Sequence, residues 1–231
     1  MNIYKGSFFV FFQSYKKQMI TFWTILLLII ASSFAITYFV KQEIQLFISI
    51  SVPVYVFFVI IGSKFLTNTF NYLLRLGMSR GHYIKITGAI FIIVSLFSGL
   101  FLAIIHELFA LLKKNFISNE LLVIHPSYFF DNSLSFSSIF ISDFVILLLC
   151  LVSGLITNYA FYRFGTVGGY SLIGLSAFFV IIAMPLEWYS GVYEFVVNLS
   201  FFLVCLGIAI ISILLFSLMA FVLRALPAVP V

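Results

Sequence analysis

Apolar residues in this chain gather into blocks of roughly 20, parted by short polar breaks, and no other feature restricts its fold so severely. A block of that length is what an α-helix needs to cross about 30 Å of hydrocarbon. The chain is 64% hydrophobic and only 8% charged, whereas a soluble domain carries roughly 25% charged residues. No soluble fold has the polar surface to cover these blocks, so the solvent is membrane lipid. The expected fold is all-α: a polytopic membrane protein, one transmembrane domain with six helices. Cys150 and Cys205 lie inside apolar blocks and read as small buried hydrophobes, not as a disulfide framework.

The breaks place the spans at about 20–40, 44–62, 86–112, 139–161, 167–186 and 196–223. Pro53 falls near the middle of the second, where it is expected to bend the helix. Ahead of the first span, residues 1–18 carry Tyr4, Phe8, Phe11, Phe12 and Tyr15 along one helical stripe, continued by Met19. Lys5, Gln13, Lys16 and Lys17 fall mostly off that stripe, the pattern of an amphipathic helix lying in the membrane interface. A secretory signal is the rival reading, but no small-residue cleavage site follows. The long connections are 63–85, a polar helix-forming stretch on the first face, and 113–138 on the opposite, extracellular face. A tight turn at 162–165 joins spans four and five. The segment 187–195 reads as a hairpin whose Trp188, Tyr189 and Tyr193 sit at headgroup level.

Charge orients these spans. Lys5, Lys16, Lys17, Lys64, Arg75, Arg80, Lys85, Arg163 and Arg224 fall on the N-terminal face, while Lys41, Lys113 and Lys114 belong to the other. Lys and Arg accumulate on cytoplasmic loops, so both termini are expected in the cytoplasm. The net charge of +5 thus reports topology and calls for no nucleic acid.

Catalysis has little support in the motifs. There is no phosphate loop, and Gly62-Ser63-Lys64 lacks the glycine spacing that aims backbone amides at a triphosphate. No H-E-x-x-H pair and no G-x-S-x-G turn occurs. His106, Glu107 and Asp143 are the ionisable residues within apolar blocks, and such residues line a cavity, pair with one another or snorkel to the headgroups. With His125 added, their spacing supports no metal geometry, and no metal is expected. Gly165, Gly168, Gly169 and Gly174 offer small surface for close helix packing or a pivot in span five.

The most informative stretch is the loop through Leu73, Leu74, Arg75, Leu76, Gly77, Met78, Ser79 and Arg80. Its leucines give a short helix an apolar side, Gly77 is suited to end that helix in the left-handed conformation, and Ser79 to cap the next. A short helix across the mouth of spans two and three is expected, with a partner or the membrane covering its apolar residues.

On Arg75-Leu76-Gly77-Met78-Ser79-Arg80, on the turn Arg163-Phe164-Gly165-Thr166-Val167-Gly168-Gly169 and on the six-span topology, the chain resembles the membrane subunits of type-two ABC exporters. The resemblance implies that Leu73 to Arg80 is the coupling helix docking on a separate ABC ATPase, which binds the ATP and Mg. It further implies a second permease copy or paralogue as partner, a bacterial plasma-membrane location and no cofactor on this chain. A hydrophobic or amphipathic cargo is expected, a peptide toxin or antimicrobial, with export or immunity as the role. Two readings of other classes stand beside it. One is an intramembrane enzyme using His106, Glu107, His125 and Asp143; the other is a non-catalytic assembly or sensor protein.

Overall fold

The computed structural model describes residues 3–40, 46–116, 121–130 and 135–225. The link expected at 41–43, parts of the loop 113–138 and the tail beyond 225 lie outside the described residues. The elements run α1 (Ile3–Val40), β1 (Leu46–Ile48), α2 (Ser51–Arg75), α3 (Arg80–Phe116), β2 (Leu121–Val123), a 3-10 turn (Pro126–Phe129), α4 (Phe136–Ala183), α5 (Trp188–Asn198) and α6 (Phe201–Arg224). Among the described residues five helices, α1, α2, α3, α4 and α6, are long and apolar enough to cross a membrane. The architecture is that of an all-α membrane protein.

Several expected boundaries move. The interfacial segment and span one form the single unbroken helix α1, because no glycine or proline stands between Lys17 and Ile20 and a change in hydropathy alone does not end a helix. Of its aromatic stripe, Phe11 and Tyr15 are buried against α2 and α3, while Phe8 and Phe12 are exposed. Span two begins at Ser51, not 44, since 46–48 is a strand, and Pro53 therefore sits in the first turn, where a missing N–H disturbs nothing. Instead of a hairpin, 188–198 is the helix α5.

A straight helix of 48 residues would be about 72 Å long, far more than one crossing needs. Helix α4 is divided instead at Gly165, whose φ of 68° and ψ of −162° suit glycine alone, into arms 136–164 and 166–183. Within the first arm Gly154 lies against Gly62 of α2: a Cβ on Gly154 would fall 2.9 Å from the Gly62 Cα and 2.8 Å from the Ser63 nitrogen. Gly62 and Gly154 thus allow a close approach of α2 and α4 that a side chain at either position would block. Of the glycines singled out in the sequence, Gly168 and Gly169 face Phe164 and Phe161 of their own helix, and Gly174 faces open space.

Around that crossing α2, α3 and the first arm of α4 enclose Phe58, Phe65, Phe91, Leu102, Leu147 and Leu151. Contacts identify the two ends of the bundle. At one, Arg80 Nη1 donates to the Arg224 carbonyl at 2.8 Å, Tyr162 donates to Asn71 Oδ1 at 3.0 Å, and Phe11 lies near Tyr83. At the other, Phe34 packs against Phe109, Phe130 against Phe201, and β1 pairs in parallel with β2, Phe47 opposite Leu122.

Candidate functional site

Two features at opposite ends of the bundle carry chemistry. The first is the tip joining α2 to α3. Helix α2 ends in a Schellman turn: the Met78 N–H donates to the Leu73 carbonyl at 3.1 Å and the Gly77 N–H to the Leu74 carbonyl at 3.0 Å, with Gly77 at φ 86°. Leu73 and Met78 bury together beneath it. Helix α3 then starts at once, Ser79 Oγ accepting from the His82 N–H at 3.3 Å. The sequence-based expectation of a left-handed glycine and a capping serine therefore holds in geometry. The separate short helix does not: Leu73, Leu74 and Arg75 are the last turn of α2 itself, since nothing upstream interrupts it. What the tip presents to solvent is Arg75, Gly77, Ser79 and Leu76, the last 65% exposed.

The second feature is a buried polar cluster at the far end, assembled from four elements. Ser51 is the first residue of α2 and Tyr55 stands one turn further along the same face. His106 comes from α3 and Asp143 from the second turn of α4. His125 follows β2, whose pairing with β1 fixes the backbone there, the Ile124 N–H donating to the Ile48 carbonyl at 2.9 Å. It caps the 3-10 turn, its Nδ1 lying 3.1 Å from the Ser127 nitrogen and 2.7 Å from Ser127 Oγ.

These side chains converge on one carboxylate. Asp143 Oδ1 lies 3.1 Å from His125 Nε2 and accepts from the Tyr55 hydroxyl, while Oδ2 accepts from Ser51 Oγ at 3.4 Å. Ser51 Oγ is also 3.1 Å from His106 Nε2, and the rings of His106 and His125 meet edge to face at 5.0 Å. Asp143 and His125 are 0% exposed and His106 is 4% exposed. An ionised carboxylate removed from water costs several kcal/mol unless it is paired and hydrogen-bonded, and here an imidazole and two hydroxyls do that. The arrangement can pass a proton between Asp143 and His125, or present two imidazole nitrogens and a carboxylate oxygen to a cation: the ligand atoms of His106, His125 and Asp143 lie within 4.8 Å of one another.

The expected vestibule group therefore divides. His106 and Asp143 come together, but Glu107 is exposed on another side of α3. Reading the chain one residue at a time missed Ser51, Tyr55 and Ser127 as members and found no ligand spacing. The available signal was the isolation of His106 and Asp143 in apolar blocks. Ser51 and Tyr55 are unremarkable at the start of a helix, and only the fold brings them to residues far along the chain.

The chain matches no protein-family model, no curated protein and no solved structure.

Proposed function

We propose that this chain is the membrane subunit of an ABC exporter of the type-two permease kind, working as a pair of such subunits with separate ATPases in a bacterial plasma membrane. The observation that carries this reading is the α2–α3 tip: a tightly capped, rigid corner that offers Leu76 between Arg75 and Arg80 at the basic end of the bundle. An exposed leucine between two cations suits a groove on a soluble partner with an apolar floor and an acidic rim. Because α2 continues unbroken from this corner to Ser51, and crosses α4 at the Gly62–Gly154 contact, a push on the tip moves the packed bundle as one body.

Six spans with both termini inside complete the reading. Helix α6 starts near Phe130 at the polar-cluster end and finishes at Arg80 at the basic end, while the first arm of α4 also ends at the basic end, beside Asn71. These placements favour a further crossing by residues 166–198, for which the arm 166–183 supplies about 27 Å as helix. The basic end is cytoplasmic by the distribution of Lys and Arg. For cargo, a lateral cavity of about 420 Å³ between α1, α2 and α3, lined by Phe11, Trp23, Phe65, Phe91 and Phe97 with Lys16 on its wall, favours a hydrophobic or amphipathic molecule such as a peptide toxin or antimicrobial.

The test is crosslinking from the tip in the native host. A photoreactive residue at Leu76 is expected to capture an ABC ATPase, and Arg75→Glu with Arg80→Glu to weaken its co-purification about tenfold or more. Recovery of no ATPase with the wild-type chain, even after crosslinking, sinks the exporter reading. The buried cluster favours a second reading, an intramembrane enzyme centred on His106, His125 and Asp143. That reading predicts a turnover abolished by Asp143→Asn and indifferent to Arg75 and Arg80.

A further inference from the structure

We propose that His106, His125 and Asp143 bind a divalent transition metal ion of the zinc class, which pins the turn after β2 to α3 and α4. The proposal rests on the cluster's geometry and is independent of the exporter reading.

Two imidazole nitrogens with one carboxylate oxygen suit zinc-class ions, whereas calcium and magnesium require sites built mostly from oxygen. Tetrahedral coordination with bonds of about 2.0–2.2 Å places neighbouring ligand atoms roughly 3.3–3.6 Å apart. His125 Nε2 and Asp143 Oδ1, at 3.1 Å, already stand close to such an edge. The three donor atoms lie within 4.8 Å of one another, so binding would draw them together by up to about 1.2–1.5 Å. The Tyr55 hydroxyl, on Asp143 Oδ1, and the Ser51 hydroxyl, between His106 and Oδ2, are positioned to take the fourth site or to hold a water there.

The surrounding groups fit as well. A histidine that coordinates through Nε2 must carry its proton on Nδ1 and donate it, which fixes the ring. Ser127 Oγ, 2.7 Å from His125 Nδ1, is the acceptor placed for that proton. The Ser127 N–H donates to Nδ1 at 3.1 Å, which suits the tautomer with its proton on Nε2 toward Asp143. Metal binding through Nε2 would therefore move the His125 ring proton to Nδ1, toward Ser127 Oγ. A divalent ion also offsets a carboxylate charge on Asp143 more fully than two hydroxyls do.

The test uses the full chain without an affinity tag, purified in mild detergent, stripped with chelator, and dialysed against Zn²⁺. Elemental analysis is expected to find about one zinc per chain, falling at least about fivefold in His106→Gln, His125→Gln and Asp143→Asn. His82→Gln, at the opposite end of the bundle, should retain it. Co²⁺ in place of Zn²⁺ should give the visible bands of a tetrahedral nitrogen and oxygen site, lost in His125→Gln. Zinc should also raise the melting temperature of the wild-type chain. A monodisperse wild-type chain that takes up less than about one fifth of an equivalent overturns the proposal and leaves a hydrogen-bonded network alone, whether or not the variants fold. So does full zinc retention in all three variants, or a cobalt spectrum showing thiolate ligation.

Discussion

Residues 51–162 and residues 166–198 have similarly apolar sequences and opposite fates. In the first region helices α2 and α3 and the first arm of α4 pack tightly, joined by bonds from one helix to another. Asn158 donates to the Ser63 carbonyl and accepts from the Thr67 N–H at 3.2 Å, Tyr162 bonds Asn71, and Asp143 gathers donors from two other elements. In the second region the hydroxyls of Ser171, Ser176 and Ser190 bond carbonyls a turn or less away, Tyr189 bonds the nearby Val180 carbonyl, and Val167, Leu175 and Phe178 are exposed. The difference teaches that apolar content does not bind helices together in lipid, because a leucine facing lipid loses little by comparison with one facing a helix. Close backbone approach and interhelical hydrogen bonds do, and both are concentrated in the first region.

Substitutions should divide along the same line. The largest effect is expected for Gly154→Val, whose side chain would enter the space of the Val59 carbonyl and the Ser63 nitrogen; it should cost about 3 kcal/mol or more in reversible unfolding from mixed micelles. Asn158→Leu leaves the Ser63 carbonyl and the Thr67 N–H without their partner and should cost about 1–2 kcal/mol in the same assay. Gly77→Ala forces a side chain into the left-handed region at the tip and should cost about 1 kcal/mol. At the small end, Gly174→Ala and Phe178→Ala should stay within about 0.5 kcal/mol, since the first faces open space and the second is exposed. A Phe178→Ala cost as large as that of Gly154→Val would break the comparison. It would mean that 166–198 packs against a second copy of the chain, and the loss should then appear as dissociation on size-exclusion chromatography.

The features legible in the sequence were those set by local chemistry. Blocks of bilayer length, the left-handed Gly77, the Ser79 cap and the interruption between the arms of α4 all depend on a few neighbouring residues. What escaped reading depended on partners remote in the chain. The start of α2 moved because 46–48 is drawn into a strand by 121–123. The Gly62–Gly154 crossing joins two unrelated blocks, while the glycines that stood out locally, 165 to 174, make no such contact with another helix. His125 sits in a loop and Ser51 at a helix start, and neither signals a site until Asp143 is folded against them. The continuity of α1 was hidden for another reason: the shift from amphipathic to apolar at residue 19 changes what surrounds the helix, not the backbone preference of its residues.

The proposed exporter requires a chain that crosses the membrane six times, with the α2–α3 tip inside and the polar cluster toward the outside. Labelling of intact cells with a membrane-impermeant maleimide tests this directly, in a background with Cys150→Ala and Cys205→Ala. With six crossings, Ser190→Cys is expected to be labelled in intact cells and Leu76→Cys only after lysis. Labelling of both from the same side would contradict it, because residues 166–198 would then not recross the membrane and the basic tip would share a face with α5.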